Sequence, residues 1–391
     1  MQNFKFLVPE RIIFGEGTLS CLSEEILKFG KNAVLIAGGK SLEINGILKR
    51  IQNELEDKKI KLQVFHVGNE PTVIIVDEIV EAVRKKIRNA DVVVAIGGGS
   101  AIDTGKAVSA MLEEKGSIQQ YLEGVGNNQP SGKKVPFIAV PTTAGTGSEA
   151  SKNAVIKGDG FKKSLRHDRF IPNVAIVDPV LTVTCPPTIT MQSGMDAFVQ
   201  LLEAYVSNVG GEMTDLLLLD AIGRLGNSIE AAYIDGEDLA ARSEVSYGAL
   251  VSGIGLANAS MTVIHGFAGV IGGLYDVPHG AVCASLLWAA TVMNMQKIKD
   301  FEPSNPAAEK YARAGAVLVD IPYDVDKHEV LFRALAEKLT QFKETLQIPT
   351  LKELGLDKDE FWKIVDQVGQ KANPVVLSDT ELEEILAMSY E

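Results

Sequence analysis

The sequence predicts an α/β N-terminal domain with a parallel sheet over residues 1–182 and an all-α C-terminal domain over residues 183–391. Up to residue 182, short β-branched runs alternate with amphipathic helical segments, which is the pattern of an α/β fold. From Thr188 onward, long runs of Ala, Leu and Gly have the apolar period of helices. A chain of 391 residues is also too long for a single compact core, so two domains are expected.

Four runs are predicted to be strands of that sheet: residues 33–36, 62–67, 91–96 and 135–140. Three of them are followed by turn sequences, which are Gly38-Gly39, Gly97-Gly98-Gly99 and Pro141-Thr142-Thr143. Helical segments such as residues 73–89 lie between the strands. The succession of strand, glycine turn and helix is typical of a parallel sheet that binds its ligand at the carboxyl ends of the strands.

The composition is that of an ordinary globular protein, with 46% hydrophobic and 23% charged residues. No apolar stretch of about 18 residues is free of charges and glycines, so no membrane span is predicted. The net charge of −13 argues against a nucleic acid as the main partner. Three widely spaced cysteines, and an N-terminus that lacks the apolar region of a signal peptide, lead us to expect reduced thiols and a cytoplasmic location.

The segment GGGSAIDTGKA, residues 97–107, follows a predicted strand and opens a predicted helix. Glycines let backbone N–H groups approach a phosphate, and the positive end of the helix dipole favours an anion there. The segment is not a Walker A loop, because Ala107 replaces the Ser or Thr, and it is not GxGxxG, because residue 102 is Ile. Taken alone, it fits a plain strand-to-helix connection as well as it fits a phosphate site.

A second loop, PTTAGTGSEAS at residues 141–151, contains Gly145, Gly147 and Ala150 at the spacing of the GxGxxA variant of a dinucleotide-binding motif. A single match of this kind is weak evidence. Together with the turn after residue 97 and with the Gly38-Gly39-Lys40-Ser41 segment after the first strand, it predicts a nucleotide that lies across several strand ends.

The C-terminal domain contains two histidines 14 residues apart, His265 and His279, in an otherwise apolar stretch. Upstream, Asp196 lies at the start of an apolar helical run. Two imidazoles and a carboxylate are typical ligands of a divalent first-row metal ion. The same histidines could equally be hydrogen-bonded core or capping residues, and these residues alone do not decide between the two interpretations.

Five motifs follow one another along the chain: GGGSAIDTGKA, PTTAGTGSEAS, the Asp178-Pro179 step, GMDA at residues 194–197, and an HG…PHG pair at residues 265–280. In this order and at these intervals they resemble the iron-containing (group III) alcohol dehydrogenases, from about Phe14 to Asn373. The resemblance implies an α/β N-terminal nucleotide-binding domain for NAD(P) and an all-α C-terminal metal-binding domain. It also implies hydride exchange between the nicotinamide and a small alcohol or aldehyde.

The resemblance further implies a metal site. The family's ligands are an Asp, a His four residues later, and two His 14 residues apart; Asp196, His265 and His279 match, and Gln200 replaces the first His. Residues i and i+4 share a helix face, so Gln200 is also predicted to bind the metal, as a weaker, neutral donor. We predict one iron or zinc ion, with Asp196, His265 and His279 as the catalytic residues. Gly269 replaces a further His that the family commonly has, so no proton relay is expected there.

The resemblance places the cofactor along the turns of the N-terminal domain. The predicted cofactor-binding residues are Gly38, Gly39, Lys40, Ser41, Gly98, Gly99, Ser100, Asp103, Thr142, Thr143, Thr146, Gly147, Ser148 and Lys163. Residues 36–41 contain no carboxylate that would bind the 2′-OH of the adenine ribose and repel a 2′-phosphate; they contain a lysine and a serine instead. A preference for NADP(H) over NAD(H) is therefore predicted.

Three other functions stay open at this point. Gln200 is compatible with a metal-free reductase similar to the maleylacetate reductases. Dehydroquinate synthase shares the architecture and uses NAD with zinc, but it is a lyase for a phosphorylated substrate, and no dense basic cluster lies near residues 196–280. A nucleotide-binding module without catalysis would have no need of Asp196, His265 and His279. We therefore predict a dehydrogenase that acts on a small alcohol or aldehyde, assembled as a homodimer.

Overall fold

The computed structural model describes residues 4–39, 41–68, 70–86 and 89–391, and it divides into two compact units. The first, here called the α/β unit, comprises Leu7–Thr143 and Gly147–Thr184. The second, here called the helical unit, comprises residues 4–6, Ala144–Thr146 and Cys185–Glu391. The division after Thr184 lies close to the boundary expected at residue 182. The short segment Ala144–Thr146 belongs to the helical unit, although it was expected in the N-terminal domain.

The strands of the α/β unit form a six-stranded sheet and a separate two-stranded hairpin. In chain order they are β1 (Arg11–Phe14), β2 (Asn32–Gly38), β3 (Lys61–Val67), β4 (Val92–Gly97), β5 (Phe137–Pro141), β6 (Asn153–Gly158), β7 (Phe161–Arg166) and β8 (Val174–Val177). The sheet has the order β1-β8-β5-β4-β2-β3, and each of these pairings is parallel. The predicted parallel sheet is confirmed. The antiparallel pair β6–β7 was not among the predicted strands.

Helices cover both faces of this sheet. Those of the α/β unit are α1 (Leu22–Leu27), α2 (Ser41–Ile44), α3 (Ile47–Asp57), α4 (Val73–Lys86) and α5 (Gly99–Met111). Val34 and Ile36 of β2 belong to one apolar cluster, with buried residues of α4 and α5. Ala33 and Leu35 belong to a second cluster, with buried residues of α1 and α3. Successive strand residues point to opposite faces, so a continuous apolar run such as β2 fits a strand that is buried on both sides.

The structure describes all of residues 185–391, and every regular element in this range is a helix. The all-α prediction for this part of the chain is confirmed. The helices are α6 (Pro187–Val206), α7 (Glu212–Ile234), α8 (Leu239–Asn258), α9 (Val263–Leu274), α10 (His279–Phe301), α11 (Pro306–Leu318), α12 (His328–Thr345), α13 (Phe361–Val365) and α14 (Asp379–Met388). Helix α6 packs against α7, α8 and α10, and residues 194–206 are buried throughout. An apolar helix that is buried on all sides forms the centre of its unit.

In the described part of the chain, no single helix is long and apolar enough to cross a membrane. One bent pair, α8 and α9 at 94° to each other, meets the requirement by length and composition only.

The Asp178-Pro179 step has a structural role at the end of β8. The Asp178 carboxylate accepts hydrogen bonds from the backbone N–H groups of Gly17 (3.0 Å), Leu19 (3.1 Å) and Val180 (3.1 Å). One buried side chain therefore joins the segment after β1 to the turn after β8, and it satisfies three backbone donors at once.

The close packing of α7 and α8 makes Gly248 sensitive to any side chain. A Cβ atom at Gly248 would lie 2.6 Å from both Cβ and Cδ1 of Leu225. Gly248→Ala should therefore lower the free energy of unfolding by about 1–3 kcal/mol, although alanine favours helices. As a matched control, Gly272→Ala in α9, where a Cβ meets nothing within 4 Å, should be neutral or stabilising by up to about 1 kcal/mol. Chemical denaturation midpoints measure both changes, and equal midpoints for the two variants would contradict this account of the α7–α8 contact.

Candidate active site

In the α/β unit, the predicted cofactor turns lie side by side at one edge of the sheet. β2, β4 and β5 are adjacent and parallel, with Ala37 paired to Ile96 and Gly97 paired to Pro141. The residues that follow these strands, around positions 38, 98 and 142, are consequently brought to the same carboxyl edge. This is the position at which open parallel α/β sheets bind their ligands.

Glycine is required at this edge because the backbones approach closely. A Cβ at Gly38 would lie 2.8 Å from Cβ of Ala101, and one at Gly97, where φ is +156°, would lie 2.7 Å from the same atom. Gly98 precedes the first turn of α5, a helix of 13 residues, and no side chain caps that terminus. A helix N-terminus reached through glycines suits a phosphate group, so Gly98, Gly99 and Ser100 stay predicted cofactor contacts.

Two predicted cofactor residues, Asp103 and Ser148, bind each other. The Ser148 hydroxyl donates to the Asp103 carboxylate, which also accepts from the backbone N–H of Val155 at 2.9 Å. The buried ammonium group of Lys106 donates to Ser148 (3.0 Å), Ser151 (3.2 Å) and the carbonyl oxygen of Asn153 (2.8 Å). Burial lowers the pKa of Lys106 to about 8, opposed by the nearby carboxylate charges. This network holds α5 against the segment that leads into β6.

The remaining cofactor predictions have different surroundings. Lys163 is exposed on β7, whereas its neighbour Lys162 pairs with Glu70. Ser41 is the exposed first residue of α2, and Lys40 lies outside the described residues. Gly39 has a φ of +62°, in the left-handed region. The other members of the predicted set, Thr142, Thr143, Thr146 and Gly147, lie in the loop that follows β5.

In the helical unit, the predicted metal ligands converge. Nε2 of His265 lies 3.6 Å from Oδ1 of Asp196, and Nε2 of His279 lies 3.7 Å from the same oxygen. The Asp196 and His265 side chains are only 5% and 15% exposed, whereas that of His279 is 40% exposed. The cluster is therefore buried at the carboxylate and reachable from solvent beside His279.

Glu203 fixes the orientation of His265. Its buried carboxylate accepts hydrogen bonds from the Thr262 hydroxyl group and from the backbone N–H groups of Ile264 (2.7 Å) and His265 (3.3 Å). Nδ1 of His265 lies 2.5 Å from the same carboxylate. A carboxylate at the first turn of α9 is favoured by the helix dipole. It also directs Nε2 of His265 toward Asp196, as outer carboxylates commonly do for metal-binding histidines.

Two glycines allow these helices to come together. A Cβ at Gly280, directly after His279, would lie 2.0 Å from the carbonyl oxygen of Gln192 in α6. A Cβ at Gly266, directly after His265, would lie 2.3 Å from the carbonyl oxygen of Gly369. The HG and PHG motifs thus combine a ligand with a residue small enough to let its backbone touch a neighbouring segment.

The residues present fit a divalent cation. Oδ1 of Asp196 and Oε1 of Gln200 are buried and have no hydrogen-bond partner among the described residues. Two ligand atoms bound to one tetrahedral zinc ion at about 2.0–2.2 Å lie about 3.4 Å apart. The observed separations of 3.6 and 3.7 Å between the two imidazoles and Asp196 come within a few tenths of an ångström of that value. An unpartnered buried carboxylate oxygen facing two imidazole nitrogens is costly unless a cation joins them.

The electrostatics of the cluster lead to the same conclusion. Burial opposes protonation of His265, yet the carboxylates of Glu203 and Asp196 raise its pKa to about 10. Burial likewise opposes ionisation of Asp196, but the neighbouring imidazoles and a hydrogen bond from Gln200 lower its pKa below the usual value. Without a metal ion, a proton on His265 supplies the positive charge that these carboxylates require. A metal ion would replace that proton.

Two family models together match most of the chain. The model described as iron-containing alcohol dehydrogenase matches residues 9–179, and the C-terminal model of the Fe-containing alcohol dehydrogenase family matches residues 190–390. The chain belongs to the iron-containing alcohol dehydrogenase family. The resemblance found in the sequence and the predicted enzyme class, alcohol dehydrogenase, are thereby confirmed.

Individual relatives cover the whole chain. Alcohol dehydrogenase 4 of Saccharomyces cerevisiae is 31% identical over 99% of this chain and 98% of its own length. The NADPH-dependent butanol dehydrogenase of Clostridium saccharobutylicum is 29% identical, with coverage of 99% and 98%. The crystal structure of a 1,3-propanediol oxidoreductase superposes with a TM-score of 0.88 at 26% identity and full coverage of both chains.

Against the family's ligand pattern, two residues of this cluster were not predicted. Glu203 lies seven residues after Asp196, on the same face of α6, and the signal that could have revealed it is an acidic residue inside an apolar helical run. Cys283 in α10 lies with Asp196, His265 and His279 in a group whose ligand atoms are all within 4.8 Å of one another. At Gly269, where no proton relay was expected, a Cβ would meet nothing within 4 Å.

The Glu203–His265 contact generates a prediction about the metal-free protein. Glu203→Gln removes the largest charge that favours protonated His265, so the His265 pKa should fall from about 10 toward the ordinary 6.5. NMR titration of the imidazole nitrogens in chelator-treated protein measures this change. Glu212→Gln, at an exposed acidic residue at the start of α7, is the control and should leave the titration unchanged. An unaltered His265 pKa in Glu203→Gln would contradict the role given to this carboxylate.

Proposed function

We propose that this chain is a metal-dependent alcohol dehydrogenase that prefers NADP(H) and interconverts small alcohols and aldehydes. The observation that carries the proposal is the unpartnered, buried Oδ1 of Asp196 between Nε2 of His265 and Nε2 of His279. The named relatives act on alcohols and include an NADPH-dependent butanol dehydrogenase, which supports the substrate class.

Asp196, His265 and His279 would hold one divalent ion, iron or zinc. When bound, such an ion supplies Lewis-acid chemistry, which lowers the pKa of an alcohol or polarises a carbonyl group. Asp196 contributes a negative charge and Glu203 keeps the His265 ring in place. The partial exposure of His279 leaves room for a small substrate at the edge of the cluster. The sequence predicted Gln200 as the fourth ligand, and its buried, unpartnered Oε1 is compatible with that role.

Proton exchange would not use a side chain at position 269. Gly269 lies one turn after His265 on α9, and the space around it is open. We propose that water in this open space carries the alcohol proton to solvent.

The cofactor would bind along the glycine turns of the α/β unit. When bound, the nicotinamide would supply hydride chemistry, and the protein would orient it and exclude water. The N-terminus of α5, reached through Gly98 and Gly99, would bind phosphate oxygens through backbone N–H groups. Glu43, the nearest acidic residue in the sequence after β2, is 3.3 Å from Nδ1 of His66. The predicted homodimer and cytoplasmic location remain predictions, and light scattering would test the first.

The two histidines are expected to be essential for turnover. His265→Ala and His279→Ala should each lower kcat/KM by about 100-fold or more, because losing a ligand costs at least as much as losing an outer partner. NADPH binding, measured by fluorescence, should stay unchanged. His328→Ala, at a histidine that hydrogen-bonds Tyr323, is the matched control and should retain activity. Turnover that survives complete chelation, in protein with no bound metal, would favour a metal-free reductase and contradict the proposal.

The turn at Gly39 is expected to decide cofactor preference. Gly39→Asp should shift the ratio of kcat/KM for NADPH over NADH by at least about tenfold toward NADH, which corresponds to about 1.4 kcal/mol. The left-handed φ of +62° is one that Asp and Asn tolerate better than most residues. Gly39→Asn therefore separates charge from shape, and it should change the ratio much less. A wild-type preference for NADH, or equal shifts in both variants, would contradict the assignment.

A further inference from the structure

Cys283 occupies a position from which its sulfur can reach the metal cluster. It follows His279 by four residues, so the two side chains share one face of α10. Its side chain is fully buried, and Sγ lies 3.7 Å from Nε2 of His279. The thiol is free, and its sulfur lies within 4.8 Å of ligand atoms of Asp196, His265 and His279.

We propose that the sulfur of Cys283 is the fourth protein ligand of the divalent ion, in place of the amide oxygen of Gln200. This assignment rests on the proposed function, because it requires that the Asp196 cluster holds the ion.

The distances agree with shared coordination. A zinc–sulfur bond of about 2.3 Å and a zinc–nitrogen bond of about 2.0 Å place the two ligand atoms of a tetrahedral site about 3.5 Å apart. The observed separation between Sγ of Cys283 and Nε2 of His279 is 3.7 Å. As the sulfur–metal bond forms, the thiol proton leaves to water, and no oxidation is involved.

The chemistry of the two competing donors also favours sulfur. A thiolate is negatively charged and soft, whereas the Gln200 amide oxygen is neutral and hard, and zinc binds thiolate and imidazole in preference to amides. One thiolate with Asp196 would balance the two positive charges of the ion. The resulting Asp-His-His-Cys set shifts selectivity toward zinc and away from iron.

Cobalt substitution tests the assignment directly. The intact chain is stripped with a chelator, loaded with one equivalent of Co²⁺, and examined by ultraviolet-visible absorption. Wild-type protein should show the near-ultraviolet thiolate-to-cobalt charge-transfer band. Cys283→Ser should bind cobalt without that band, and its zinc affinity should fall by at least about tenfold.

Two controls make the test specific. Cys21→Ser, which alters a half-buried cysteine of the α/β unit, should retain the band, and so should Gln200→Leu. A band that persists in Cys283→Ser, or that is absent from wild-type protein holding one cobalt ion, overturns the assignment while leaving the proposed function in place. Wild-type protein that takes up no divalent ion overturns the proposed function together with the assignment.

X-ray absorption at the zinc edge requires no variant, so it decides the question even if Cys283→Ser fails to fold. The wild-type zinc protein should show one sulfur scatterer at about 2.3 Å beside nitrogen and oxygen scatterers at about 2.0 Å. A spectrum with nitrogen and oxygen scatterers alone would overturn the assignment.

Discussion

The contact between the Glu203 carboxylate and His265 is the constraint on which the metal cluster depends. One buried side chain caps the first turn of α9 and binds Nδ1 of the histidine within that turn. The helix cannot shift along its axis without losing those bonds, and the imidazole cannot rotate without leaving a buried carboxylate unpaired. The direction of Nε2 toward Asp196 is therefore set before any cation binds.

The helix that carries Glu203 also explains why the carboxylates of the cluster are buried. Asp196, Gln200 and Glu203 lie along one face of α6, and residues 194–206 are buried without exception. Two carboxylates in such surroundings need positive charge close by, since the loss of hydration costs several kcal/mol for each ion. Protonated His265 supplies this positive charge. A divalent ion would stabilise the carboxylates more, because it contacts several donor atoms at once. Stability and metal affinity are therefore coupled through the same residues.

In the α/β unit, interactions within the protein hold the turns at which a cofactor would bind. Asp103, Lys106 and Ser148 bind one another, so the segment after β5 is held by groups of the protein itself. The glycines at the ends of β2 and β4 allow the adjoining backbone to approach α5 closely. A turn that is held by groups of the protein itself lowers the ordering cost of binding a dinucleotide.

The fold class, the glycine turns after the strands, the candidate site at Asp196, His265 and His279, and the family could all be predicted from the amino-acid sequence. These features depend on local patterns: apolar period, turn residues and short motif spacing. The sequence did not reveal that Lys162 rather than Lys163 is paired with Glu70, or that Ala144–Thr146 groups with the helices. Nor did it reveal that Glu203 holds His265 across 62 positions of the chain, or that the sulfur of Cys283 lies within 4.8 Å of ligand atoms of Asp196 and His265. The first of these pairs is decided by how α6 and α9 pack. The position of Cys283 depends on which face of α10 packs against α6. The spacing of residues in the sequence shows which helix face a residue lies on, but not which element covers that face.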